Sequence, residues 1–300
     1  MSMNSALNVS TLLPLSGVRV VSIALNLPGP ACVRRLADFG ASVIKVEPPN
    51  ALGGDPMQSY AASYYEALHA GVDVRTLNLK DAVQRAAFDE LLANADVFIT
   101  AQRDAALARL QLTGEALFSR FSSLCHVAIV GDENSSGAGH DLTYLADAGL
   151  ATPPHLPPTL FADLAGAERA VTAVFAALRL RQATGRGHHF VISLTTAAHS
   201  LAGPMTHGLT NVGGLLAGGH PGYNFYRAHD GWVALAALEP HFVARLQKFS
   251  DVEFTIRALQ NFFATKSVSE WATWARAHDI PLSVISDISP NQLLNSPSPK

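Results

Sequence analysis

Twelve histidines, 24 aspartates and glutamates and two cysteines are the residues of this 300-residue chain whose types could do chemistry, and their spacing decides which chemistry. A helical zinc site needs His-Glu-x-x-His, which is absent; His188-His189 are neighbours whose side chains point apart on a strand. No metal site is expected. Gly-x-Ser-x-Gly and the lysine-bearing phosphate loop are also absent, which removes the commonest serine-hydrolase and kinase readings. Asn26-Leu27-Pro28-Gly29-Pro30 stands where a dinucleotide fold would carry Gly-x-Gly-x-x-Gly, so a nicotinamide dehydrogenase is not expected either. His140-Asp141 after a Gly-Ser loop, Asp163 ahead of a long helical pattern and Glu239 before Pro240 are marked out by none of these motifs. Taken singly, each has an ordinary explanation in which a carboxylate caps or opens a helix.

The elements that carry these residues follow from pattern. Val18–Leu25 reads as a strand, Pro28-Gly29-Pro30 as a turn, Ala31–Phe39 as a helix stopped by Gly40, and Ala41–Glu47 as a second strand. Strands at 76–79, 96–100 and 124–130 then alternate with helices at 81–93 and 113–121. Asp163–Gln182 is a strong helix, with Leu164, Ala167, Val171, Val174, Phe175 and Leu178 on its apolar positions. A strand at 190–194 and a helix from 195 to 201 follow. Such alternation predicts an α/β fold: a Rossmann-like, doubly wound parallel sheet over residues 1–207. The glycine-rich run 208–222 opens a smaller α/β domain, 208–300, with a strand at 231–237, helices at 240–249 and 269–278, and a frayed tail from Ser289.

Composition narrows the function class. The chain is 48% hydrophobic and 15% charged, with 21 Lys+Arg against 24 Asp+Glu and a net charge of −3, which suggests neither nucleic acid nor a membrane surface as partner. No apolar window reaches the ~18 residues of a membrane span, and the N-terminus lacks the basic start of a secretory signal. Cys32 and Cys125 form no disulfide framework, which favours a cytoplasmic setting.

Longer strings carry more. Leu15-Ser16-Gly17-Val18-Arg19-Val20-Val21, Leu36–Pro48, Gly54-Asp55-Pro56, Gly139–Ala146, Thr184-Gly185-Arg186-Gly187, Asp230-Gly231 and Leu238-Glu239-Pro240-His241-Phe242 occur in an order that resembles the family III coenzyme A transferases. Within that family the Gly-His-Asp and Leu-Glu-Pro-x-Phe strings are more similar to the 2-methylacyl-CoA racemase branch. The resemblance implies 1,1-proton transfer at the α-carbon of a 2-methylacyl-CoA thioester. His140 with Asp141 would be one acid/base group, Asp163 the opposing one, and Glu239 a support for His140; the helix near Asp163 would offer N–H donors to the enolate oxygen. It equally allows a transferase, in which Asp163 is a nucleophile that passes through an aspartyl-CoA thioester. A family-fold binding protein without catalysis is the third alternative. No permanent cofactor is implied, coenzyme A being part of the substrate, and a homodimer is expected.

The chain also departs from the family pattern. Gly71-Val72-Asp73-Val74 replaces a Gly-Lys-Arg-Ser string, Arg103-Asp104-Ala105 replaces Arg-Pro-Gly, and Ala162-Asp163-Leu164-Ala165-Gly166 stands for Gly-Asp-x-Gly-Gly. The cations left for the coenzyme A phosphates are Arg34, Arg35, Lys45, Arg75 and Arg103. The family's usual C-terminal return segment has no counterpart after Pro281–Val284, which predicts a more open dimer than the interlocked one the resemblance implies.

Overall fold

The computed structural model of the chain describes residues 13–133 and 137–285. The first of two compact units ends at Ala202. It runs β1 (Arg19–Ser22), α1 (Pro28–Asp38), β2 (Ser42–Glu47), α2 (Met57–Tyr60), α3 (Ala62–Leu68), β3 (Asp73–Thr76), α4 (Ala82–Ala93), β4 (Val97–Thr100), α5 (Asp104–Arg109), α6 (Gly114–Arg120), β5 (Cys125–Val130), α7 (Asp141–Asp147), α8 (Phe161–Thr184), β6 (His189–Ser193) and α9 (Leu194–Leu201). The six strands are parallel in the order β3-β2-β1-β4-β5-β6. This is the expected doubly wound sheet, with its order reversing between β1 and β4.

Period-two patterning makes the two layers. Val20, Val97, Ile99, Val127 and Ile129 bury against α1 and α8, whereas Val21, Ile23, Val46 and Phe98 bury against α4, α5 and α6. Ala167, Ala170, Ala173 and Ala177 of α8 are buried in the same core, and α8 meets the α1 side through Glu168, which pairs with Arg35 at 3.0 Å, and Phe175, edge-on to Phe39. Pro28-Gly29-Pro30 is the first turn of α1 rather than a turn before it, because proline at the first helical positions fixes φ and lacks an N–H that would be orphaned. A Cβ at Gly29 would lie 2.5 Å from the Ala24 Cβ, so only glycine lets α1 start this close to the end of β1. The third strand lies at 73–76 and not 76–79. All four of its residues are exposed, which leaves no apolar alternation to read.

The second unit begins at Gly203, where the glycine-rich run suggested 208. It comprises α10 (Gly203–Thr206), β7 (Tyr223–Arg227), β8 (Trp232–Ala236), α11 (Pro240–Ser250), α12 (Ile256–Phe263), α13 (Val268–His278) and β9 (Leu282–Ile285), with the strands antiparallel in the order β7-β8-β9. Its core is aromatic: Tyr226 stacks on Phe263, and the Trp271 indole N–H donates to the Phe263 carbonyl at 2.8 Å. The tail from Ser289 lies outside the described residues. No helix among the described residues is long and apolar enough to cross a membrane.

One buried ionic cluster braces the loop after β1. Lys45 on β2 is fully buried and its ammonium donates to Asp55 (2.5 Å), Glu47 (2.7 Å) and His69 Nε2 (2.9 Å). His69 Nδ1 faces the Tyr65 carbonyl at 2.6 Å, so the ring is the Nδ1–H tautomer; burial first and Lys45 second push its pKa down and keep it neutral. The other oxygen of Asp55 accepts from the backbone N–H groups of Asn26 (3.2 Å) and Met57 (3.0 Å). Asn26 sits at φ 61°, a left-handed conformation that this hydrogen bond helps hold. Lys45→Met would leave two buried carboxylates without their cation. It is expected to lower unfolding free energy by about 3–5 kcal/mol, measured from the urea midpoint; a loss under about 1 kcal/mol, the range of an exposed pair, would contradict the assignment.

Candidate active site

The carboxyl ends of β1, β4 and β5 open into a cavity of about 710 Å³ in the first unit. This is the topological switch point, where strand order reverses and the loops on either side separate. Asn26 and Pro28 line it from the β1 side, Gln102 and Arg103 from β4, and His140, Tyr144 and Asp163 from the helices that follow β5.

Two of the four expected site residues, His140 and Asp163, line this cavity, and Asp141 links the two helix starts that carry them. His140 is the exposed residue immediately before α7, its backbone N–H donating to the Thr143 hydroxyl at 3.0 Å. Asp141, the first residue of α7, is buried, and its Oδ1 accepts from the N–H groups of Ala162 (2.7 Å) and Asp163 (3.0 Å). It therefore caps α8 from far along the chain and not its own helix. Asp163 is not the N-cap the sequence suggested. It lies inside the first turn of α8, partly buried, with its carboxyl on the cavity. Burial and then the neighbouring Asp141 charge push its pKa up to about 7. The same geometry takes up two of the expected oxyanion donors, because the α8 N–H groups of residues 162 and 163 are occupied by Asp141. Glu239 stands at the start of α11 in the second unit, with Pro240 at the first helical position.

The five expected cations do not converge. Arg103 precedes α5 and lines the cavity. On α1, Arg34 holds Asp38 (2.8 Å) and the Ala70 carbonyl, and Arg35 holds Glu168 (3.0 Å). Arg75 is paired with Asp73 at 2.7 Å and lines a separate cavity of about 470 Å³ beside α4. Lys45 corrects the expectation outright, since it is fully buried and held by Asp55, Glu47 and His69.

Residues that sequence reasoning passed over include Tyr144, Asn26 and Tyr60, whose hydroxyl donates to Asn26 Oδ1 at 3.4 Å. A signal for Tyr144 was present in Gly131 and Gly139, where an added Cβ would lie 2.3 Å from its Oη and 2.5 Å from its Cε1. His126 and His189 pair at 2.9 Å between their Nδ1 atoms, also unforeseen. No group of three or more His, Cys, Asp or Glu among the described residues could hold a metal ion.

Similarity to known proteins agrees with this geometry. The alpha-methylacyl-CoA racemase of Mus musculus is 32% identical over 254 residues and that of Homo sapiens 30% identical over 256, each match covering 78% of this chain and 64% of the racemase. The chain thus spans less than two thirds of the length of either. The acetyl-CoA:oxalate CoA-transferase of Acetobacter aceti is 29% identical over 60% of this chain and 51% of its own. Among solved structures, Rv3272 of Mycobacterium tuberculosis superposes with a TM-score of 0.79 at 23% identity, covering 95% of this chain and 85% of that one, which shows a shared fold. The model of "CoA-transferase family III" matches residues 15–298, and the chain belongs to that family.

Proposed function

We propose that this protein transfers a proton at the α-carbon of an acyl-CoA thioester of the 2-methylacyl class, inverting that carbon. In one direction the Asp163 carboxylate takes the α-proton, the C–H electron pair passes toward the thioester oxygen as an enolate, and His140 as imidazolium returns a proton to the other face of the carbon. The reverse direction exchanges the roles. Asp141 acts by holding α8, and with it Asp163; the support of His140 by Glu239 comes from the family resemblance. Arg103 is the cation proposed to meet a coenzyme A phosphate beside the cavity, with Arg34, Arg35 and Arg75 available on the surface of the unit. A homodimer belongs to the same proposal.

The observation that carries the reading is the Asp163 carboxyl facing the cavity with its pKa near 7. A general acid/base works best when its pKa lies near the working pH, and an ordinary carboxylate is too weak a base and too rarely protonated to serve both directions. A nucleophilic carboxylate gains nothing from being half protonated at neutral pH. The transferase reading is kept as an outcome of the test, because transferases stand among the relatives.

In deuterium oxide, the protein is expected to place deuterium at the α-carbon of a 2-methylacyl-CoA, and Asp163→Asn to reduce the rate at least about 100-fold. A hydroxylamine-trappable adduct on Asp163 without exchange would instead establish the transferase chemistry. The limb of the pH–rate profile set by Asp163 should fall near pH 7, and Asp141→Asn should move it to lower pH by removing the neighbouring negative charge.

The same raised pKa makes a stability prediction. Between the ordinary carboxylate pKa and about 7 the folded protein binds a proton that the unfolded chain does not, so this group's contribution to stability falls as pH rises through that window. Asp163→Asn is therefore expected to stabilise the protein at about pH 8, by up to about 4 kcal/mol at about 1.4 kcal/mol per pK unit, and to have little effect at about pH 3. Denaturation curves at the two pH values check this; equal effects at both would contradict it.

A further inference from the structure

We propose that the Tyr144 hydroxyl donates the hydrogen bond that stabilises the thioester oxygen as it becomes an enolate, which makes Tyr144 a further catalytic residue. The inference rests on the proton-transfer reading above. That chemistry needs a donor aimed at the oxygen, because negative charge collects there as the α-proton leaves for Asp163. The N–H groups of Ala162 and Asp163 at the start of α8 cannot provide it while Asp141 Oδ1 accepts from both. The Gln102 side-chain amide, also on the cavity wall, already donates to the Ile23 carbonyl at 2.5 Å.

Tyr144 has the placement that these groups lack. It follows His140 by one helical turn along α7, and both residues line the cavity with Asp163. The phenols of Tyr65 and Tyr226 are each satisfied, by Glu47 at 2.9 Å and by the Pro221 carbonyl at 2.6 Å. The Tyr144 hydroxyl, by contrast, makes no hydrogen bond with any of the described residues, although its ring is half-buried. A phenol present only for packing gains nothing from an oxygen left facing a cavity.

Its position is also fixed from two sides. The missing Cβ atoms of Gly131, just after β5, and Gly139, just before His140, leave the room in which the ring sits, with Oη 2.3 Å and 2.7 Å from where those atoms would be. A donor held by backbone in this way needs little reorganisation when the charge forms. Burial, followed by the nearby Asp163 and Asp132 charges, pushes the phenol pKa up despite Arg103, so the group stays a donor. The proton balance is simple: the α-proton goes to Asp163, and the Tyr144 proton is shared with the enolate oxygen and not transferred.

The test is α-deuterium exchange with a 2-methylacyl-CoA by the full chain and by Tyr144→Phe, Gly131→Ala and the double variant. Loss of one oxyanion donor predicts a fall of about 100-fold or more in the maximal exchange rate of Tyr144→Phe, with KM changed less than about threefold. Gly131→Ala should also lower the rate, since its Cβ meets the hydroxyl most closely, yet add little in the Tyr144→Phe background. Exchange by Tyr144→Phe within about threefold of the unaltered protein would overturn the inference alone, as would losses that multiply in the double variant. Absence of exchange in the unaltered protein, without an adduct or with one, would overturn the proton-transfer reading and this inference together.

Discussion

A single carboxylate holds the site together. Asp141 sits at the start of α7 and accepts from two N–H groups at the start of α8, so the residue that opens one helix satisfies the N-terminus of the other. Helix ends leave such groups orphaned, and a charged acceptor among them is favoured by both the hydrogen bonds and the positive end of the helix. The consequence is positional: His140 and Tyr144 travel with α7, Asp163 with α8, and Asp141 sets the distance between them. It is also electrostatic, because burial first and then the charge that satisfies α8 raise the pKa of Asp163 on that helix's first turn. One interaction thus joins the geometry to part of the protonation behaviour that the proposed proton transfer requires.

The far wall of the cavity depends on a second buried charge. Lys45 neutralises Asp55 and Glu47, and Asp55 in turn fixes the Asn26 backbone where the chain leaves β1. Two carboxylates, one ammonium and a neutral histidine are stable in the interior only because every polar atom has a partner: Tyr65 and Gln58 donate to Glu47, and the Asn26 and Met57 N–H groups to Asp55. This is a costly way to hold a loop if any member is lost. It is a rigid way while all are present, and the proposed orientation of a thioester would benefit from rigidity.

The order of strands and helices was legible from alternation and turn residues, because the inner strands β1, β4 and β5 are largely buried apolar runs. Where burial is absent the signal is absent too, as at β3, whose exposed residues shifted the expected strand toward Leu79. The proposed site residues His140 and Asp141 came from an ordered string and Asp163 from its position in the family pattern, yet the local role of Asp163 was not legible. A sequence window shows an aspartate near a helix start and suggests a cap; it cannot show that Asp141, from another helix, already performs that task. Lys45 illustrates the same limit. Lysine on a strand end reads as surface charge, and only the fold reveals Asp55 and Glu47 around it. Tyr144 was hidden because a tyrosine at a helical position reads as core, while the glycines that accommodate it lie in a loop with other reasons to contain glycine.

The replaced phosphate-binding string is best judged by asking which cations an anion could recruit. Arg75 and Asp73 are about half exposed, and such a pair is worth at most about 1 kcal/mol in water, so a phosphate can compete for the guanidinium at little loss. Arg35 with Glu168 is similarly exposed, and Arg34 with Asp38 nearly so. Lys45 is of a different kind: drawing it away would strand two buried carboxylates at several kcal/mol, more than one phosphate contact returns. The paired candidate cations therefore fall into two sets, exposed arginines whose pairs cost little to break and a buried lysine that cannot be drawn away. Under the proposed function, coenzyme A affinity would come from the first set, with the salt dependence of exposed guanidinium–phosphate contacts.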